Sequence, residues 1–281
     1  MKLAVYKEIL KRLQGREREE FTGIAQHYRV SLHTLMSIYS QDYQKKMKKT
    51  HQRHHSLEAI DDYFQRYQAR ISPDTMGTVL LRIAKEVDLA PSLLAKIILE
   101  RHLALQAAES EPPARSYVNQ LLKDPCQIPD PVLANEVQQC ILNDCVYGPV
   151  VDSIRHSVGF EYENKLKRIL EDKGIAFIGE DVMRAKGYDK TPDFKLEVPI
   201  AVDGHVVNWV ESKASFGDEF SHRTYLRDQF WSYWNRFGPG LVIYWFGFID
   251  ELDVNADKGI VLMDRFPDSF STLQALSDRD R

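Results

Sequence analysis

Apolar residues over roughly the first 110 positions recur at intervals of three and four, and no strictly alternating stretch is found among them. Leu3, Tyr6, Ile9 and Leu13 set this spacing at the start of the chain. Such spacing is typical of amphipathic helices, in which one face packs on a core. The first part of the chain is therefore predicted to be helical.

Two stretches of this helical region have the layout of a helix-turn-helix. In the first, a short turn near Arg29 and Val30 separates two helices, and Ser31 is a candidate N-cap for the second of them. That second helix would extend to about residue 47, and in a helix-turn-helix it is the helix that can enter the DNA major groove. The bland alternative is that a helical pair is a common packing unit.

The second stretch repeats the layout further along the chain. Pro73 lies near a predicted helix start, a break falls at Asp88-Leu89-Ala90, and Pro91 suits the first turn of the next helix. Pro-rich connections follow, and beyond residue 150 helices alternate with strands. The predicted domains are two helix-turn-helix-like regions, a Pro-containing linker with short helices, and a final α/β domain: 1–54, 55–110, 111–150 and 151–281.

In the last domain, the pattern predicts a helix, three strands, a second helix over 218–237 and two more strands, forming a mixed sheet flanked by helices. The first helix, 155–170, has an apolar side, and Gly174 supplies its stop. Asp203-Gly204 is a strong hairpin signal between two of the strands. The apolar side of the first helix is predicted to contain Phe160, Leu166, Ile169 and Leu170.

Charged residues follow one face of this predicted hairpin. Over 191–198, Phe194, Leu196 and Val198 point one way while Asp193 points the other. On the returning strand, Glu211 and Lys213 are two residues apart and so share a face. If the strands pair as Asp203-Gly204 suggests, two carboxylates and one ammonium group meet.

Two carboxylates with a lysine match what phosphodiester hydrolysis requires. Asp193 and Glu211 could hold Mg²⁺, a hard cation that prefers oxygen ligands, with Mn²⁺ as a substitute. Lys213 could offset the charge that accumulates in the transition state. The alternative is that an Asp-Glu-Lys cluster on a sheet is only a solvated face.

Composition and charge narrow the partners. The formal net charge is −4, yet residues 1–70 contain 14 Lys and Arg against 8 Asp and Glu, an excess that suits a polyanion or merely a solvated helical surface. No apolar run is long enough to span a membrane. The three cysteines have neither disulfide-framework nor zinc spacing. The basic run at the end of the first predicted region contains four candidate nucleic-acid contacts: Lys45, Lys46, Lys48 and Lys49. Its histidines, His51, His54 and His55, are expected to form a protonatable surface rather than a metal site.

These motifs resemble the PD-(D/E)xK nuclease superfamily, with "PD" ending at Asp193 and "ESK" at Glu211-Ser212-Lys213. The resemblance implies an acidic residue on the first core helix, where Glu163 follows Gly159 by four residues and Glu161 is the competing candidate. It also implies that Glu163 completes or supports the metal site.

A branch resembling RecB-type nucleases adds Q-x-x-x-Y on the second core helix, here Gln229 and Tyr233, which would position the substrate. On the same helix, His222, Arg223 and Arg227 could contact phosphates, or the arginines could pair with neighbouring acids. Trp231 and Trp234 are predicted to be core residues.

The whole chain is similar to the codanin-interacting nuclease family, in which helix-turn-helix-like regions precede a nuclease domain resembling Holliday-junction resolvases. That resemblance implies a codanin-type partner, a place in nucleus and cytoplasm, and a link to erythropoiesis. The sequence thus predicts a metal-dependent nuclease acting on nucleic acid, DNA rather than RNA, with the oligomeric state open. The alternative is a catalytically silent adaptor that binds a protein partner through its helical half.

Overall fold

The computed structural model describes residues 1–15, 20–72, 78–107 and 114–272. It contains a helical N-terminal half and a C-terminal mixed sheet flanked by helices, which confirms the predicted fold class. The predicted helix start at Pro73 and part of the Pro-rich connection at 109–116 lie outside the described residues. Within the described chain, no helix has the length and apolar character to cross a membrane.

The described helices of the first part of the chain are α1 (Leu3–Leu13), α2 (Phe21–Tyr28), α3 (Leu32–His54), α4 (Leu57–Arg70), α5 (Val79–Val87), α6 (Pro91–Gln106), α7 (Arg115–Lys123) and α8 (Pro131–Asn143). The remaining elements are α9 (Pro149–Asp172), β1 (Phe177–Gly179), α10 (Glu180–Ala185), β2 (Phe194–Val202), β3 (His205–Lys213), α11 (Glu219–Tyr225), a π-helical turn (Leu226–Phe230), α12 (Trp231–Phe237), β4 (Gly240–Tyr244), β5 (Ile260–Met263) and β6 (Ser271–Thr272).

The chain divides into two compact units that do not follow the predicted domain borders. One contains residues 1–39 together with 157–281 and is called the sheet unit below; the other, 40–156, is called the helical unit. The predicted borders remain predictions, since compactness alone does not define which segments fold independently.

Both predicted helix-turn-helix layouts are present and use the same turn. Arg29 after α2 and Asp88 after α5 each adopt a left-handed backbone, with φ of 53° and 56°. In both, the next residue donates its N–H to the helix carbonyl five residues back, as in a Schellman cap: Val30 to Ala25 and Leu89 to Ala84. The turn of the second helix-turn-helix layout thus repeats the turn of the first at an offset of 59 residues.

The second helix of each helix-turn-helix layout, α3 or α6, begins as predicted, but α6 is largely buried. Ser31 caps α3 as predicted, accepting a hydrogen bond from the N–H of Thr34 at 3.0 Å. In α6, Pro91 occupies the first turn, as predicted. Most of α6 lies inside the core of the helical unit, with Leu94 and Ile98 fully buried. A helix enclosed in this way cannot also fill a DNA groove.

The sheet has the order β1-β2-β3-β4-β5, with β6 pairing against β2. β1, β2 and β3 pair antiparallel, whereas β3, β4 and β5 pair parallel. One face packs on α9 through Leu166, Leu170, Val210 and Ile243. The other face packs on the π-helical turn and α12 through a second set of buried side chains: Trp209, Phe230, Tyr233, Val242 and Tyr244. Gly174, with φ of 66°, ends α9 as predicted.

Three residues that the sequence places on an apolar face or in the core are exposed instead. Phe160 is 63% exposed, because it precedes the part of α9 that reaches the sheet. Val198 is 48% exposed, because β2 shifts register against β3 between Lys195 and Ile200. Trp234 is 37% exposed, because the neighbouring Tyr233 takes the buried face of α12. Trp231 is only partly buried.

Candidate active site

The hairpin of β2 and β3 brings the predicted acids together. Asp203 and Gly204 both have positive φ, 49° and 82°, as a two-residue type I′ turn demands. Strand pairing then sets Phe194 opposite Val210. The residue before β2, Asp193, consequently lies beside the end of β3. The predicted hairpin is confirmed.

Two hydrogen bonds from backbone N–H groups join Asp193 to Glu211 and to the next residue, Ser212. The N–H of Asp193 donates to Glu211 Oε2 at 3.2 Å, and the N–H of Ser212 donates to Asp193 Oδ2 at 2.7 Å. The residue Glu211 is only 3% exposed. The hairpin backbone therefore fixes both carboxylates, instead of leaving them on a wet face.

Lys213, the last residue of β3, lies at the same end of the strand as Glu211. Its Nζ donates to Glu211 Oε1 at 2.6 Å and to Gln229 Oε1 at 3.0 Å. The same ammonium group lies 4.7 Å from the ring centre of Tyr225 and 5.9 Å from that of Phe230, within cation–π range. Lys213 is thus held in one position by an acid, an amide and two rings.

The close charges change the ionisation of the site. Burial raises the pKa of Asp193 well above its ordinary value, and the neighbouring Glu211 raises it further, while Lys213 and the Ser212 N–H act in the opposite direction. Burial by itself would lower the pKa of Lys213, but the carboxylates of Glu211 and Asp193 outweigh it, so that pKa is raised. Lys213 stays charged, and Asp193 resists ionisation.

Of the two candidate acids on α9, Glu163 contributes to the electrostatics of the carboxylate pair. Glu163 is half-buried in α9, and its charge helps raise the pKa of Asp193. Its Oε1 lies 4.0 Å from the point where a side chain at Gly159 would begin. Glu161 is exposed. Of the two candidates, the structure brings Glu163 toward the site.

The helix predicted over 218–237 contains a π-helical turn at Leu226–Phe230, which includes Gln229. π-Turns are rare and occur often at functional sites. Gln229 contacts Lys213 directly. Tyr233, one turn later, is 4% exposed, and its pKa is raised by burial first and then by Glu211 and Asp193. Both predicted helix residues therefore lie at the carboxylate pair.

The donor set fits a hard divalent cation. Asp193 and Glu211 offer oxygen atoms, and Mg²⁺ is usually bound by one or two carboxylates together with waters and substrate phosphate. Among the described residues, no three His, Cys, Asp or Glu side chains are grouped so that they could hold an ion together. The charge of Glu163 acts on the pair by helping to raise the pKa of Asp193.

The predicted phosphate-binding arginines form ion pairs within the protein. Arg223 Nη2 lies 2.8 Å from Glu219 Oε1, and Arg227 Nε lies 2.6 Å from Asp228 Oδ1. This is the pairing with neighbouring acids that the sequence offered as an alternative. On α3, Lys46 pairs with Asp88, and its three neighbours in the basic run are also solvent-accessible: Lys45, Lys48 and Lys49.

Two histidines expected to be accessible, His54 in the basic run and His222 among the candidate phosphate contacts, are buried, which corrects both expectations. His54 is 1% exposed and its Nδ1 contacts Tyr63 Oη at 2.8 Å; burial lowers its pKa. His222 is 3% exposed, contacts Tyr244 Oη at 3.0 Å, and has a pKa lowered to about 4 by burial. Neither is available to a phosphate group as a charged side chain.

Glu180, which is hydrogen-bonded to the backbone of Asp193, was not predicted from the sequence. The N–H of Glu180 donates to the Asp193 carbonyl at 3.1 Å, and Glu180 Oε1 accepts from Thr191 Oγ1 at 3.1 Å and from Arg184 at 2.8 Å. Thr191 is buried. The sequence signal that could have found this contact is the threonine before Pro192-Asp193.

The tripeptide Thr191-Pro192-Asp193 has the sequence that is named in the description of a protein family matching this chain. A family model described as "Protein of unknown function TPD sequence-motif" matches residues 129–266. No solved structure shows a significant match to the chain.

Curated relatives match most of the chain. Proteins named "CDAN1-interacting nuclease 1" from Mus musculus and Homo sapiens are each 59% identical over 240 residues, covering 85% of this chain and 85% of theirs. The Danio rerio protein of the same name is 53% identical over 242 residues, covering 86% of this chain and 80% of its own. At this identity and coverage, the chain belongs to the CDAN1-interacting nuclease 1 family.

Proposed function

We propose that the protein is a metal-dependent nuclease that hydrolyses phosphodiester bonds of nucleic acid, DNA rather than RNA, at the Asp193–Glu211–Lys213 site. The observation that supports it best is the convergence of two carboxylates and a charged lysine within hydrogen-bonding distance on adjacent strands. The names of the relatives support a nuclease role independently of this geometry.

The residues divide the work as follows. Asp193 and Glu211 would hold Mg²⁺, or Mn²⁺ in its place, which when bound polarises a phosphate oxygen and lowers the pKa of a bound water. Lys213 keeps its proton and offers an N–H to the phosphate, offsetting charge that accumulates in the transition state. Gln229 orients Lys213 by accepting one of its hydrogen bonds, and Tyr233 lies beside the carboxylates.

The wider contacts follow from the same site. Arg223 and Arg227 would exchange their exposed acidic partners for flanking phosphates, since surface ion pairs contribute little to stability and a phosphate can replace the carboxylate. A protein partner of the CDAN1, or codanin, type is proposed from the names of the relatives.

Substitution of the three central residues tests the proposal. Asp193→Asn, Glu211→Gln and Lys213→Ala should each reduce Mg²⁺-dependent cleavage by about a hundredfold or more, since each removes a charged group from the transition-state environment. The assay is a panel of single-stranded, duplex, flap and four-way-junction DNA and RNA. Glu197→Gln, an exposed carboxylate on the same hairpin, is the matched control and should cleave like wild type. Equal cleavage by wild type and all three variants would point to a contaminating nuclease.

A non-catalytic adaptor is the second candidate, favoured by one observation. Both oxygens of Glu211 already accept hydrogen bonds, from Lys213 Nζ and from the Asp193 N–H, so the carboxylate is satisfied without a metal. Calorimetric titration with Mn²⁺ separates the two functions. Binding that Asp193→Asn removes supports the nuclease; heats indistinguishable from dilution, in wild type and variant alike, support the adaptor.

A further inference from the structure

Four aromatic rings and one lysine form a continuous row on the sheet unit, called the aromatic strip: His33, Phe246, Tyr162, Trp245 and Lys165. His33 and Phe246 stack with ring centres 5.5 Å apart and an interplanar angle of 20°. Tyr162 contacts Phe246 at 5.4 Å and Trp245 at 5.3 Å. Lys165 Nζ lies 4.6 Å from the centre of the Trp245 ring and 5.3 Å from that of Tyr162.

Two consecutive hydrogen bonds connect this strip to the carboxylate site. Trp245 Nε1 donates to Ser212 Oγ at 2.8 Å, and the N–H of Ser212 donates to Asp193 Oδ2 at 2.7 Å. Tyr162 also directly precedes Glu163 in α9. Trp245 of the strip is therefore hydrogen-bonded to the residue between Glu211 and Lys213, and the strip lies on the α9 side of the sheet.

The strip is accessible, unlike the aromatic cluster on the opposite face of the sheet. Trp209, Phe230 and Tyr233 are buried and pack the core. In the strip, by contrast, His33 and Lys165 are exposed while its three other members are only half-buried: Tyr162, Trp245 and Phe246. Accessible rings interleaved with cationic side chains are the chemistry on which proteins stack unpaired bases.

We propose that the aromatic strip binds unpaired bases of the substrate strand next to the scissile phosphate, and thus that the substrate contains a single-stranded segment. This rests on the proposed nuclease function and names its substrate class. Bases inside a continuous duplex are stacked on their neighbours, so they have no free face with which to stack on Tyr162 or Trp245. Lys165, which lies over both rings, is placed to bind the phosphate of a stacked nucleotide.

Binding without cleavage tests the strip. Fluorescence anisotropy of a labelled oligothymidylate, and of a blunt duplex of equal length, is measured on the full chain in EDTA. Wild type should prefer the single strand, and Trp245→Leu and Tyr162→Leu should each weaken that binding about tenfold, as expected for a lost stacking partner. Trp245→Phe, which keeps a ring, should lose less. Trp234→Leu, an exposed tryptophan of α12 outside the strip, is the matched control and should bind like wild type.

A second measurement does not depend on the aromatic variants remaining folded. Lys165→Gln should lower the slope of log affinity against log salt by about 0.7, the value for one phosphate contact on a single strand. Lys167→Gln, an exposed lysine of α9 that pairs with Glu171 at 4.0 Å, should leave the slope unchanged.

The outcomes separate this proposal from the nuclease assignment. Single-strand binding that Trp245→Leu, Tyr162→Leu and Lys165→Gln leave intact, or equal affinity of wild type for duplex, overturns the strip even if cleavage is confirmed. No binding to nucleic acid at all overturns it in favour of a protein-docking face. Strip-dependent binding in a protein that never cleaves supports the strip and contradicts the nuclease function.

Discussion

Asp193 is the residue at which stability and proposed function conflict. Its folded-state pKa is raised, mainly by burial and by the adjacent Glu211, so the fold favours the protonated acid. A raised pKa contributes stability that is fully present below the unfolded value of about 3.9 and is lost as pH rises through the folded value. As pH rises above the unfolded value, Asp193 therefore increasingly weakens the metal-free fold.

Replacement of this acid by its neutral isostere should stabilise the metal-free protein. Asp193→Asn keeps an oxygen that can accept from the Ser212 N–H but removes the repulsion from Glu211. In EDTA, the variant should have a higher Tm than wild type near pH 8, and the difference should shrink toward pH 4. Thermal melts across this range provide the measurement. A difference in Tm that stays the same at every pH would contradict the destabilising effect of ionising Asp193.

Adjacency in this site could be predicted from sequence, but burial could not. Alternation along β2 and the Asp203-Gly204 turn were enough to bring Asp193 beside Glu211. The environment of Lys213, in contrast, depends on Tyr225 and the helix packed over the strand. Such contacts come from tertiary packing, which periodicity in a single segment does not encode.

For helices and strands, too, the sequence pattern predicts local structure but not the features that depend on tertiary packing. The helix after β3 was predicted as one regular run, because its residues are compatible with a helix throughout. Its π-turn, Leu226–Phe230, is not signalled by any residue type; it coincides with Phe230 being fully buried while Gln229 contacts Lys213.

Strand β4 depends on a glycine for close packing against β3. A side-chain atom at Gly240 would lie 2.1 Å from the Trp209 indole, far inside contact distance. Gly240→Ala should therefore cost about 1–3 kcal/mol or more in the free energy of unfolding, as core overpacking does. Gly23→Ala in α2 is the control of opposite sign, because nothing lies within 4 Å and alanine favours helix. Urea denaturation measures both; equal stability of Gly240→Ala and wild type would contradict the clash.

At the scale of the whole molecule, the start of the chain packs with a segment 179 to 212 residues later. Tyr6 stacks on Phe216 with ring centres 5.7 Å apart, and its Oη donates to Asp218 Oδ2 at 3.3 Å. Ser37 Oγ accepts from the Phe216 N–H at 2.9 Å. Sequence periodicity predicted α1 to α3 as helices but could not show which apolar face they cover, since that depends on long-range topology.

Because Tyr6 contacts the segment that leads from β3 into α11, its loss should be felt near the proposed active site. Tyr6→Ala should lower the free energy of unfolding by about 3 kcal/mol or more through the cavity it leaves, whereas Tyr6→Phe should lose only about 1 kcal/mol with the hydroxyl hydrogen bond. In Tyr6→Ala, amide hydrogen exchange should accelerate at the start of α11, which Asp218 caps through the Ser221 N–H. Tyr117→Ala, an exposed ring in α7, controls for loss of an aromatic residue and should leave that exchange unchanged.

If exchange in α11 is the same in Tyr6→Ala and wild type, the N-terminal helix is a neighbour of the sheet without supporting it. If exchange rises as expected, the first helix acts as part of the scaffold that positions Gln229 and Lys213, although almost the whole chain separates it from them in sequence.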